Sequence, residues 1–303
     1  MIWFRDLISG LLPLVPRKLV GVFARQYIAG ETLSHAVDTI RELNNRKIRA
    51  TLDFLGEDPK KRSDSLKAVE TYKDVINAIH DNRLQSGISL KPSQMGLKLD
   101  RDFCFENIST LVREAADKEV FVRIDMEDVS LKADTISLFL ELNKTYDNVG
   151  IVMQAYLRAG MDDINRMITH GANVRLCKGA YYWEDKQTVY KDMTVINSSY
   201  AYLLEKLLAA GCFTGIATHD EKLVFEALKI IDKTGLSTDR YEFQMLYGVT
   251  EDLRQMLLNM GHPVRVYVPF GRDWFAYSIR RLKENPRMIG YILENGLKRL
   301  FKR

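Results

Sequence analysis

Eight short runs rich in β-branched residues recur along this chain, each followed by a longer stretch with helical periodicity, and this alternation narrows the possible folds more than any other feature. The runs are Ile48 to Leu55, Gly87 to Lys91, Val120 to Asp125, Val149 to Ala155, Val174 to Lys178, Gly215 to Thr218, Glu242 to Leu246 and Val264 to Pro269. Several start with continuous apolar residues and end in a polar one, as buried parallel strands do when their carboxyl ends open into a site. Between them lie mostly apolar residues at helical spacing, such as Leu131, Ile136, Phe139 and Leu140 followed by Asn143, or Tyr200, Leu203, Leu204, Leu207 and Leu208. Eight such units predict an α/β chain closed into a (β/α)8 TIM barrel.

Residues 1–45 precede the first strand and are predicted as extra N-terminal helices. One runs from about Pro16 to Ile28 and another from Thr32 to Asn45, with Thr32 better placed than Ser34 to cap the latter. The apolar start, Met1 to Val22, is interrupted by Arg5 and Asp6 and reads as an amphipathic helix ending near Pro13, not as a signal peptide. No linker or shift in composition divides the chain, so one domain over 1–303 is expected: helices over 1–45, the barrel over 46–290 and a basic C-terminal helix over 291–303.

The net charge of +4 is small beside 44 Lys and Arg and 40 Asp and Glu, and the basic residues are interspersed with acidic ones, which argues against a nucleic-acid partner. Cys104, Cys177 and Cys212 are odd in number and widely spaced, fitting neither a disulfide framework nor a zinc site and pointing to a reducing cytoplasm.

In a barrel of this kind, reactive groups come from the carboxyl ends of the strands. Those ends supply Asp53, Lys91, Asp125, Glu127, Gln154, Arg175, Lys178, Thr218, His219, Glu242, Gln244 and Tyr267. Lys91 and Asp125 come from neighbouring strands and are expected to pair, either as part of a site or simply to hold the rim together. Arg175 and Lys178 fall on opposite faces of a regular strand, and converge only if the strand ends before Gly179. Beyond the last strand, Tyr277 lies over Arg280 and Arg281 at helical spacing, which makes a forked clamp for a small carboxylate; the alternative is a solvated helix face. No His-Glu-x-x-His or His-x-His pattern occurs, so no metal is expected. A glycine-rich dinucleotide fingerprint is likewise absent, so a phosphate-bearing cofactor would need side-chain donors such as Arg175, Lys178, Thr218 and His219.

Taken together, Arg175-Leu176-Cys177-Lys178-Gly179-Ala180-Tyr181, Ala217-Thr218-His219, Glu242-Phe243-Gln244-Met245-Leu246-Tyr247-Gly248 and Tyr277-x-x-Arg280-Arg281-Leu282-x-Glu284-Asn285 resemble proline dehydrogenase of the monofunctional bacterial type, over roughly residues 48 to 290. The resemblance implies a distorted barrel carrying FAD across its carboxyl face, which takes a hydride from C5 of L-proline and yields Δ1-pyrroline-5-carboxylate. It places Arg280, Arg281 and Lys91 on the substrate, with Tyr277 and Leu246 walling the ring and Glu284 pairing with a clamp arginine. Asp125 would support Lys91 and the reacting centre. Arg175 would lie by the flavin N5 locus, Met126 and Gln154 by the isoalloxazine, and Lys178, Gly179, Ala180, Thr218 and His219 along the rest of the FAD. Tyr182 stands between the Gly-Ala-Tyr run and Trp183, and Asp220 stands where the family often has asparagine; both bear on the outer part of the flavin. The family implies a quinone electron acceptor and a downstream pyrroline-5-carboxylate dehydrogenase.

The residue types suit that chemistry on independent grounds. Cations near the ring favour the unprotonated amine from which hydride leaves, and a cation near the flavin stabilises the anionic reduced state. The basic end, Leu297-Lys298-Arg299-Leu300-Phe301-Lys302-Arg303, fits either a solvated tail or a peripheral contact with an anionic membrane. Two other readings stand beside this one. Lys91 or Lys178 forming a Schiff base would make the protein an aldolase-type lyase, and a barrel that merely binds an acidic metabolite would be colourless.

Overall fold

The computed structural model describes residues 21, 24, 26–56, 58–179, 185–275 and 277–279. Eight parallel strands close into a barrel in chain order, each hydrogen-bonded to the next and the last to the first. The strands are β1 (Arg49–Phe54), β2 (Ser86–Leu90), β3 (Val122–Ile124), β4 (Val149–Gln154), β5 (Val174–Cys177), β6 (Thr214–Ala217), β7 (Tyr241–Leu246) and β8 (Val264–Phe270). Each coincides with one of the eight runs expected from the sequence.

Among the described residues the helices around the barrel are α1 (Leu33–Asn45), ahead of it, then α2 (Arg62–Asp81), α3 (Arg101–Ala116), α4 (Val129–Leu142), α5 (Gly160–Thr169), α6 (Met193–Ala209), α7 (Glu221–Thr234) and α8 (Glu251–Asn259), one after each of the first seven strands. Aspartate starts four of them by accepting a backbone N–H in the first turn: Asp100 for α3, Asp128 for α4, Asp192 for α6 and Asp220 for α7. Thr32 caps α1 through the His35 N–H. The expected helix over Pro16–Ile28 and the basic end over 291–303 fall largely or wholly outside the described residues.

The two faces of the strands have opposite chemistry. Outward-facing Leu52, Ile88, Leu90, Ile124, Ile151, Leu176, Ile216, Phe243, Val266 and Val268 are wholly buried against the helices. Each contributes about 1.5–3 kcal/mol by leaving water. The inward face is largely polar: Thr51 and Asp53, Ser89, Arg123, Arg175, Glu242 and Gln244, and Arg265 and Tyr267 stand on it, with Gly150, Val152 and Gly215 among them. The strands are therefore alternating, not continuously apolar as their first residues suggest. Glycine makes the arrangement possible, because a Cβ at Gly150 would lie 2.4 Å from Arg123 Nη1. The guanidinium fills that space and donates to the carbonyls of Ile151 at 3.1 Å and Asn173 at 2.7 Å.

Candidate active site

The carboxyl end of the barrel is organised around Asp125, the residue that follows β3. Its Oδ1 accepts from Ser89 Oγ on β2 at 2.7 Å and from Arg175 Nη1 on β5 at 3.0 Å. Its Oδ2 accepts from the Tyr267 hydroxyl on β8 at 3.0 Å. Four strands thus meet on one carboxylate. The Arg175 guanidinium lies 5.2 Å from the centroid of the Tyr267 ring, so cation, anion and phenol form a closed triangle. Burial, with the Asp125 charge next, pushes the Tyr267 phenol well above its ordinary range, which keeps it a proton donor to Asp125. Tyr72 on α2, raised by burial and then by Asp53, donates to the Ser89 carbonyl at 2.8 Å and braces the same strand from outside.

Lys91 does not pair with Asp125. Its Nζ donates to Asp53 Oδ1 on β1 at 2.5 Å. The reason is strand order: Asp53 is the register partner of Ser89 and therefore flanks Lys91 on one side, while Asp125 on the other side already accepts from Ser89, Arg175 and Tyr267. Asp53 is wholly buried, and its Oδ2 has no hydrogen bond among the described residues.

Around this centre the rim loops are fastened to one another. Glu127 accepts from the Ser93 N–H at 2.8 Å and the Ser93 hydroxyl at 2.6 Å, joining the β2–α3 and β3–α4 loops. Burial raises the Glu127 carboxyl despite those bonds. Met126 is buried, and its carbonyl lies 3.4 Å from Gln154 Nε2, which also approaches the Glu127 carbonyl at 3.4 Å.

β5 ends at Cys177, one residue before Lys178, so the strict alternation that would send Lys178 away from Arg175 stops there. Lys178 Nζ meets Asp220 Oδ2 at 2.7 Å. Burial would raise the Asp220 carboxyl, but the Lys178 hydrogen bond and charge more than offset it and hold it below the usual carboxylate range. Gly179 follows with φ +109, and a Cβ there would lie 2.3 Å from the Tyr156 ring. Thr218 is buried and its hydroxyl accepts from the Asp220 N–H at 3.1 Å.

His219 clasps two elements. Its Nε2 accepts from the Leu246 N–H at 3.1 Å and its Nδ1 lies 2.8 Å from Thr250 Oγ1. An acceptor at Nε2 leaves the proton on Nδ1, so this is the neutral ring donating to Thr250. Tyr277 is buried in a satellite apolar cluster with Tyr27, Ile28 and Leu55. Ala180, Arg280, Arg281 and Glu284 lie outside the described residues. Among the described residues no group of three or more His, Cys, Asp or Glu side chains is arranged to hold a metal ion. No helix among them is long and apolar enough to cross a membrane.

A profile of the family described as "Proline dehydrogenase" matches residues 36–290, most of the chain and the whole barrel. The chain belongs to the proline dehydrogenase family. Proline dehydrogenase 1 of Bacillus subtilis (strain 168) is 33% identical over 276 residues, which cover 91% of each chain. The proline dehydrogenase of Deinococcus radiodurans is 32% identical over 286 residues, covering 91% of this chain and 90% of that one. Among solved structures, proline utilization A from Bdellovibrio bacteriovorus, inactivated by N-propargylglycine, superposes with a TM-score of 0.81 at 25% identity. That match covers 86% of this chain and 32% of the longer protein, so this chain spans about a third of its length.

Within this family frame the structure brings Asp125, Arg175, Lys91, Gln154 and Leu246 to the carboxyl end of one barrel, each beside partners the sequence did not name. Asp53, Gln244 and Tyr267 were legible as polar strand ends but carried no role. Ser89 was missed, although it sits two residues before Lys91 and therefore shares its inward face. The donors at the mouth, Arg175 and Lys178 as cations with Gln154 and Thr218 as neutral groups, are of the kind a phosphate-bearing flavin needs.

Proposed function

We propose that this chain oxidises L-proline to Δ1-pyrroline-5-carboxylate, the first step of proline degradation to glutamate, with FAD bound across the carboxyl face of the barrel. The observation that carries the reading is the Asp125 node, with Arg175, Tyr267 and Ser89 locked on one carboxylate and the Lys91–Asp53 pair beside it. FAD, when bound, supplies the hydride acceptor. The protein's own work is orientation and electrostatics. Arg175, held in place by Asp125, sets positive charge at the flavin edge, where Met126 and Gln154 also stand. Lys91, anchored by Asp53, attracts the proline carboxylate and disfavours a protonated ring nitrogen. Tyr277 and Leu246 wall the ring, and Arg280 and Arg281, with Glu284 paired to one of them, complete the carboxylate clamp. Lys178, Gly179, Ala180, Thr218 and His219 serve the outer part of the cofactor.

A Schiff-base lyase is disfavoured because both candidate lysines are engaged in ion pairs, Lys91 with Asp53 and Lys178 with Asp220. We assign the electron acceptor as a quinone, the location as cytoplasmic, and the consumer of the product as a pyrroline-5-carboxylate dehydrogenase. The test is the visible spectrum of the purified protein, followed by anaerobic addition of L-proline. Flavin bands that bleach support both cofactor and substrate; a yellow protein that does not bleach refutes the substrate, and a protein that FAD cannot colour refutes the cofactor. Arg280→Ala or Arg281→Ala raises KM for proline with FAD retained, and an unchanged KM in both removes the clamp.

A further inference from the structure

Beneath the Asp125 node a chain of side chains crosses the barrel floor that the reaction as described does not use. Arg175 Nε donates to Gln244 Oε1 on β7 at 2.5 Å. Gln244 Nε2 donates in turn to Glu242 Oε1 at 2.8 Å. Glu242 is almost wholly buried and is gripped by Arg265 Nε at 2.5 Å and Arg49 Nη1 at 3.4 Å. Arg265 also donates to the Ala50 carbonyl at 2.6 Å, which ties the chain to β1.

An amide is ambiguous by itself, since its oxygen and nitrogen can exchange places. Here only one orientation works: the NH2 must face a carboxylate, leaving the oxygen for the guanidinium. Burial would raise the Glu242 carboxyl, but the Arg265 charge more than offsets this and keeps it ionised. The site for Gln244 is also carved in the neighbouring strand, because a Cβ at Gly215 would lie 2.4 Å from Gln244 Nε2.

With Nε on Gln244 and Nη1 on Asp125 and Ser89, two of the three guanidinium nitrogens of Arg175 are committed. A planar group held at two nitrogens has its rotation fixed, and Nη2 carries no hydrogen bond among the described residues. We infer that Gln244, oriented by Glu242 and seated in the gap left by Gly215, is a positioning residue that sets the Arg175 guanidinium so that Nη2 faces the reacting centre. The inference rests on the proposed role of Arg175 beside the flavin. Asp125 and Ser89 alone cannot do this, because both hold the same nitrogen, Nη1, and a guanidinium hinged at one nitrogen can still turn about it.

Two variants test it. Gln244→Met keeps the side-chain volume and removes the acceptor; Gly215→Ala keeps Gln244 and pushes it from its seat. In the apoprotein both are expected to speed hydrogen exchange of the Arg175 Nε proton, read by NMR. In the FAD-loaded protein both should move the flavin midpoint potential to more negative values and lower kcat for proline on the order of a hundredfold, the scale of an ångström misplacement, while KM changes little. Wild-type exchange and wild-type potential in a folded variant overturn the proposal, as does a loss of thermal stability with both readouts unmoved, which marks a merely structural role. If Gln244→Met does not fold, Gly215→Ala decides alone. A wild-type protein that proline fails to bleach counts against the substrate assignment, and the exchange measurement still decides Gln244.

Discussion

The Lys91–Asp53 pair should respond very unequally to the loss of its two partners. The Asp53 side chain is wholly inaccessible and its carboxylate has one hydrogen bond among the described residues, whereas 19% of the Lys91 side chain reaches solvent. Lys91→Met strands a carboxylate with no water and no counter-charge, and breaking a buried pair from that side costs about 3–5 kcal/mol. Asp53→Asn is milder: the amide oxygen still accepts from Lys91, whose charged end keeps its contact with solvent, so about 1–1.5 kcal/mol is expected, the worth of one ordinary hydrogen bond. The double variant Asp53→Asn, Lys91→Met removes both charges together and should be more stable than Lys91→Met alone. The coupling between the two sites should then be at least about 1 kcal/mol, within the range found for residues in contact. Urea unfolding of the four proteins, compared at equal m-values, gives each quantity directly. Equal costs for the two single variants, or a double variant equal to their sum, would refute the argument that burial of Asp53 sets the energetics.

Three further outcomes follow from other parts of the site. Glu127 has its carboxyl raised by burial, so the folded protein binds its proton more tightly than the unfolded chain does. The stability it contributes is then full below the unfolded carboxylate pKa and declines as pH rises through the raised one, so Glu127→Gln should gain on the wild type with increasing pH in denaturant titrations; a constant difference would contradict this. Gly150→Ala forces a Cβ to within 2.4 Å of Arg123 Nη1 and 2.6 Å of the Asn173 carbonyl, and should lower stability by about 1–3 kcal/mol in thermal melts, with a neutral result showing that the barrel floor is looser than drawn. His219→Phe removes the acceptor for the Leu246 N–H and the donor to Thr250, and should raise backbone hydrogen exchange at Leu246 while leaving β6 protected.

Much of this protein can be read along the chain. β-branched runs and helical periodicity report whether a segment is buried on two faces or one, and that is a local property, so all eight strands could be placed from the sequence. Local chemistry also starts the helices, since an aspartate at a strand-to-helix turn caps the next amide whatever else surrounds it, as Asp100 and Asp192 do. Strand ends gather in one mouth by topology alone, which is why Lys91, Asp125 and Arg175 were legible as residues of that mouth.

Partners were not legible, because they are chosen between strands, adjacent or not. Lys91 takes Asp53, 38 residues away, in place of Asp125, and Arg175 reaches Gln244, 69 residues away. A strand sequence shows which side chains share a face but not the stagger between strands or which carboxylate is already engaged by other donors. Nor does it show that Gly150 and Gly215 vacate space for the Arg123 and Gln244 side chains of the adjacent strands. The amino-acid sequence by itself determined the barrel, its polar mouth and the family. Closure of the sheet decided who pairs with whom, because only in the closed barrel do charges on non-neighbouring strands come within hydrogen-bonding reach.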